Sequence, residues 1–146
     1  MPVRLGLRRY HPGVSGPISV ESTLDRFDRS FAAGDLDGIV SLFSDDAVLL
    51  VHRQPSIAGR AAVRDAFGEV FAAFDTSDYE SRYDTIEVHV DSAYVMGDIV
   101  EGLRPQDGGS GIRVYVRVVL FFRRIDLSWV ITRLLTGRFA PDEPLP

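Results

Sequence analysis

The segment YESRYDTIEVHV, residues 79–90, marks the point where the spacing of apolar residues changes from about 3.6 to about 2. From here on the chain reads as strands: Tyr79–Val90, Ala93–Leu103, Ile112–Arg124 and Ser128–Thr136. Asp91-Ser92 signals a tight hairpin. Arg104–Gly111, with Pro105 and three glycines, signals a longer loop, and Arg124–Leu127 a short turn. Consecutive strands joined this closely pair antiparallel.

Upstream the period is helical. Ile18–Ala33 carries Val20, Leu24, Phe27 and Phe31 on one face. Ser19 is its N-cap, with Ser22 the weaker alternative, and Gly34 its C-terminal stop. Asp35 caps a second short helix that runs through Phe43 and is buried through Ile39, Leu42 and Phe43. Asp45-Asp46 reads as a turn, Ala47–His52 as a strand covered on both faces, and Arg53–Gly59 as a loop. Arg60–Phe74 is the third helix, with Val63, Phe67, Val70, Phe71 and Phe74 inward. Helices first and a meander afterwards predict an α+β domain with the helices on one face of the sheet. Its expected limits are residues 18–138, between a flexible leader at 1–17 and a proline-rich tail at 139–146 outside the sheet.

Composition removes several classes of chemistry. The chain has 146 residues and a net charge of -5, which disfavours nucleic acid as a partner. All 16 basic residues are Arg, so Schiff-base and Walker-type lysines are excluded. Without Cys there is no disulfide, thiolate nucleophile or Cys-based metal site. Paired His spacing and a one-faced carboxylate cluster are both lacking, so no metal is expected. Apolar runs such as Val116–Phe122 are too short to span a membrane. The leader lacks the apolar core of a secretory signal, and a cytoplasmic location is expected.

Ala33-Gly34-Asp35-Leu36-Asp37, Leu42-Phe43-Ser44-Asp45-Asp46-Ala47-Val48, Gly59-Arg60-Ala61-Ala62-Val63-Arg64 followed by Phe67, and Trp129-Val130-Ile131 together resemble the nuclear transport factor 2-like superfamily, and within it the SnoaL-like group. The resemblance covers residues 20–138 and rests on capping and packing residues. It implies a cone: a strongly curved, mainly antiparallel sheet wrapped around three N-terminal helices, with a pocket between them. It also implies a hydrophobic, natural-product-like or polyketide-like metabolite as ligand, handled without a cofactor where members are catalytic. Members include isomerases, polyketide cyclases, epoxide hydrolases, dehydratases and non-catalytic association domains. The outer sheet face often pairs two subunits, so a homodimer is expected.

The resemblance places the isomerase's tyrosine and base at Phe27 and Val51, neither of which moves a proton. The Arg flanked by two Asp of the epoxide hydrolases is missing from the strand holding Arg113, Tyr115 and Arg117. His11 lies in the leader, while His52 and His89 read as outward-facing. If the family's inward parity holds, Tyr115, Arg117, Val119 and Phe121 share one face, with Arg117 opposite Arg133, Phe121 opposite Trp129 and Glu101 near Tyr115. In that arrangement Arg117 and Arg133 hold an anion, Tyr115 donates a hydrogen bond and Glu101 is the acid/base. Phe27, Phe31, Val51, Phe67, Phe71, Val119 and Phe121 are the candidate ligand lining. Beside catalysis, Glu101, Arg117 and Arg133 can form a structural Glu–Arg network, or the arginines can lie outward on a solvated or dimer-facing sheet. For the whole chain a ligand-binding or pathway-accessory module and a dimeric association domain stay open.

Overall fold

The computed structural model describes residues 19–146; the leader at 1–17, with His11, lies outside the described residues. Helix α1 (Val20–Ala33) begins with a reciprocal capping box. Ser19 Oγ accepts from Ser22 N–H, and Ser22 Oγ accepts from Ser19 N–H. It ends at Gly34, whose φ of 66° is left-handed. Asp35 caps α2 (Leu36–Val40), which stops short of Phe43. Phe43 instead opens β1 (Phe43–Leu50), so Asp45-Asp46 is an exposed bulge within that strand and not a separate turn. The far end of β1 is covered on one face only, with Leu49 buried and Leu50 exposed. The short β2 (Ile57–Ala58) lies inside the segment read as a loop.

Helix α3 (Arg60–Ala73) gives way directly to β3 (Phe74–Val88), which starts five residues earlier than the pattern suggested. Then come β4 (Ser92–Pro105), β5 (Ile112–Ile125) and β6 (Ser128–Arg138). The sheet order is β2-β1-β6-β5-β4-β3; β1 runs parallel to β6 and all other pairs are antiparallel. The proline-rich tail does not stay outside the sheet. Glu143–Pro144 forms β7, which takes the edge of β5 at Ile112 and Arg113, beyond the last residue of β6.

The helices fill the concave side. Val114, Val116, Val118, Leu120 and Phe122 of β5 all point there and are buried. They meet Val20, Leu24, Phe27 and Phe31 of α1 and Val63 and Phe67 of α3 in one core. Sheet parity follows from this: five apolar side chains on one face of β5 outweigh Tyr115 and Arg117 on the other. Register shifts in β3 and β6 bend the sheet around the helices. At the bend, Gly97 lies opposite Tyr83, and a Cβ there would sit 2.3 Å from the Arg82 carbonyl oxygen. Only glycine permits that approach.

Candidate functional site

On β3 the otherwise largely apolar concave face carries a row of hydroxyls. Tyr79, Ser81 and Tyr83 alternate toward α1, and all three hydroxyls converge on Asp28. Tyr79 and Tyr83 each donate to Asp28 Oδ1 at 2.7 Å, and Ser81 donates to Oδ2 at 2.8 Å. Burial raises the Asp28 carboxyl above its ordinary value, while the bonds from Tyr83, Tyr79 and Ser81 pull it back down. Burial and the neighbouring Asp28 push both tyrosines well above the usual phenol range, so both stay neutral.

Glu101 on β4 sits directly opposite Tyr79, on the same concave face. Its other cross-strand neighbour is Val114. Among the described residues it makes no hydrogen bond or ion pair. Burial pushes its carboxyl up to about 7, and Arg138 draws it only partly back. Arg138 lies one row away, across from Val116, and is held by Asp142 at 2.5 Å. A carboxyl that shares its proton with water near neutrality, with no partner to hold either form, suits general acid/base work.

Beside this polar row lies an aromatic cluster. Phe31 packs against Tyr79 at 5.1 Å and Phe71 at 5.5 Å, and Phe67 contacts Phe27, Phe31, Phe43 and Phe71. Phe27, Phe31, Phe67 and Phe71 therefore belong to the concave side, as does Val51, packed on the core just beyond β1. Val119 and Phe121 do not. They lie on the convex face, with Phe121 41% exposed.

The four catalytic candidates are likewise divided between the two faces. Glu101 points inward; Tyr115, Arg117 and Arg133 point outward. The expected pairs are displaced as well. Arg117 faces Gly137, Phe121 faces Arg133, and Trp129 faces Arg124, because the turn centres on Asp126-Leu127 and Thr132 adds a bulge. Tyr115 pairs with Val100, one residue out of step with Glu101 and so on the other side of the sheet. Each outward residue has a local partner: Tyr115 donates to Glu143, Arg117 lies 3.5 Å from Asp98 and over the Phe139 ring, and Arg133 donates to the Asp46 and Thr132 carbonyls.

Across the convex face, Leu50, Leu135, Val119, Met96 and Thr85 form one transverse row over five strands. A charged row flanks it on each side: Arg133–Phe121–Tyr94–Glu87, and Arg117–Asp98–Arg82. An open concavity of about 690 Å³ lies at one end, lined by His89, Tyr94, Phe121 and Arg133. His89 and Tyr94 both bond Glu87 there, as expected of a solvent-facing histidine. His52 is exposed too. No group of acidic or histidine side chains among the described residues could hold a metal ion. None of the described helices is long and apolar enough to cross a membrane.

Asp28, Tyr79, Ser81 and Tyr83 were not among the sequence candidates, although two signals existed. Asp28 interrupts the apolar stripe of α1 at helical spacing from Leu24 and Phe31, and the three hydroxyls recur at period two.

The family described as SnoaL-like domain matches residues 24–131. Among solved structures, the chain resembles a ketosteroid isomerase-like protein from Erwinia carotovora atroseptica (TM-score 0.76, 18% identity, covering 84% of this chain and 95% of that one). It also resembles a nuclear transport factor 2-like superfamily protein from Salmonella enterica (TM-score 0.69, 18% identity, 82% and 87% covered). A third is a provisionally named scytalone dehydratase from Novosphingobium aromaticivorans (TM-score 0.71, 14% identity, 83% and 82% covered). No protein with a curated description matches.

Proposed function

We propose that this chain, which belongs to the SnoaL-like domain family, binds a hydrophobic, natural-product-like small molecule on its concave face and moves a proton on it with Glu101, without a cofactor. The observation that carries this reading is Glu101 itself: an unpartnered carboxyl, half-buried beside Tyr79 and the aromatic cluster, titrating near neutrality. Arginine clamping of an anion, the role considered for Arg117 and Arg133, has no support on that face. The names of similar structures, isomerase-like and dehydratase, fit acid/base work of this kind.

The test is elimination of water from a simple β-hydroxy ketone, the aldol adduct of acetone and benzaldehyde, followed by the ultraviolet absorbance of the conjugated product. The wild type is expected to exceed the buffer rate and Glu101→Gln to return to it. A wild type at the buffer rate that still binds Nile red would make the chain a binding or pathway-accessory module. Failure to bind Nile red as well would leave an association domain.

The convex face supports a homodimer. A band of Leu50, Met96, Val119 and Leu135, edged by rows of both charge signs, can meet its own copy related by a two-fold axis. Light scattering at micromolar concentration is expected to give twice the chain mass, and Val119→Glu to give the monomer. A wild-type monomer would overturn the dimer.

A further inference from the structure

The hydrogens around Asp28 are all committed. A carboxylate only accepts, and each hydroxyl owns one hydrogen. Tyr79, Ser81 and Tyr83 spend theirs on Asp28. What the tyrosines still offer is lone pairs. Toward any ligand, Tyr79 Oη is therefore an acceptor, fixed in that role by Asp28. Its neighbour across the strand pair is Glu101, whose buried carboxyl keeps a hydrogen up to about pH 7 and, among the described residues, has no acceptor for it. Arg138, the nearest cation, is already occupied by Asp142.

An acceptor beside a donor, in apolar surroundings, matches one neutral group: a hydroxyl, which gives one hydrogen and accepts another. We propose that the concave site takes its ligand through an alcohol or phenol group that donates to Tyr79 Oη and accepts from Glu101. This rests on the reading of the concave face as a ligand site and names the ligand class it selects. A carboxylate ligand would meet Asp28 and the acceptor oxygens, with no free cation among the described residues of this row to offset them. A ketone could use Glu101 alone, and only while Glu101 holds its proton. The titratable or charged groups facing Glu101 are Tyr79 from β3, Asp28 behind it on α1, and Arg138 beyond the end of the Val116 row; β5 contributes only Val114 and Val116.

Four bicyclic probes of one shape separate these cases: indane, indanol, indanone and indane carboxylate, titrated calorimetrically near pH 6 and near pH 8.5. Indanol is expected to bind about tenfold tighter than indane near pH 8.5, where it can only donate, and tighter again near pH 6, where Glu101 also donates to it, one good hydrogen bond being worth roughly that factor. Indanone should exceed indane near pH 6 and fall to its level near pH 8.5, where Glu101 is ionised. The carboxylate should bind weakest throughout. Near pH 6, Tyr79→Phe should lower indanol to the level of indanone and leave indane unchanged, which a folding defect would not do. Indanol equal to indane, or a carboxylate binding best, overturns the hydroxyl assignment while sparing the ligand site. Binding of none of the four overturns the ligand site and the assignment with it.

Discussion

Asp28 and Asp98 are aspartates serving the same sheet from opposite sides, and they are held in opposite ways. On the concave side Asp28 takes three short hydrogen bonds from neutral hydroxyls and, among the described residues, pairs with no cation. On the convex side Asp98 lies between Arg82 at 3.7 Å and Arg117 at 3.5 Å, whose side chains are 77% and 70% exposed. Water supplies most of the solvation outside, so charges of either sign are tolerated there at little cost. Inside, a carboxylate persists only because the chain brings it hydroxyl hydrogens. The two aspartates are the same residue type and differ in what stands in for water around them.

The sharpest way to break this contrast is Asp28→Ala. It strands three half-buried hydroxyls at once, each costing about 1–3 kcal/mol when its partner is removed. A loss on the order of 4 kcal/mol in urea unfolding is expected, against less than about 1 kcal/mol for Asp98→Ala. Equal losses would show that Asp28 is no more buried in energetic terms than Asp98.

Gly97→Ala attacks the bend that presents Tyr83 to Asp28. The added methyl meets backbone at 2.3 Å, which a side-chain rotation cannot relieve. Overpacking of this kind costs about 1–3 kcal/mol. The measurement that separates bend from bulk is the tyrosine near-ultraviolet circular dichroism, expected to change here and to stay constant in Arg117→Ala.

These two positions also show what the sequence discloses. The change of period at residues 79–90, the Ser19 and Asp35 caps and the Gly34 stop are local signals, and the structure repeats them within a few residues. The directions of Glu101, Tyr115, Arg117 and Arg133 were not legible: Glu101 was grouped with Tyr115 on one face, and the register puts them on opposite faces, because parity along a strand turns on one residue of register. A bulge at Thr132 and the centre of the Asp126-Leu127 turn, where Asp126 has a φ of 54°, set that register. The Asp28 cluster spans 55 residues between helix and strand. Its members are individually ordinary, and only their convergence makes a site. The tail was misread because Pro141, Pro144 and Pro146 argue against a strand, whereas an edge pairing of two residues tolerates proline.

Glu101 sharpens the contrast through pH. Its folded carboxyl titrates at about 7 against an ordinary 4.5, so the folded protein holds a proton that the unfolded chain has released. Stability is therefore unimpaired below about 4.5 and declines as pH rises through 7, by at most about 3 kcal/mol and less to the extent that water reaches the group. Glu101→Gln should erase this decline. In urea unfolding the variant is expected to gain about 1–2 kcal/mol over wild type near pH 8 and to match it near pH 4.5. A gain that is the same at both values would mean that packing, and not the charge, is responsible.

The smallest effect belongs to the convex face. Arg117 contributes one cross-strand contact to Asp98 and one stacking contact to Phe139, both largely in water. Arg117→Ala is expected to cost less than about 1 kcal/mol in the monomer, and most of that should disappear in high salt because exposed pairs are screened. If the band between the charged rows closes on a second copy, the same substitution acts through a buried interface, and its cost then grows with protein concentration. Unfolding Arg117→Ala at two protein concentrations tells the two situations apart. An effect that is small and independent of concentration leaves the convex face as solvated surface. An effect that increases with concentration gives its arginines the desolvated partner that the isolated chain withholds from them.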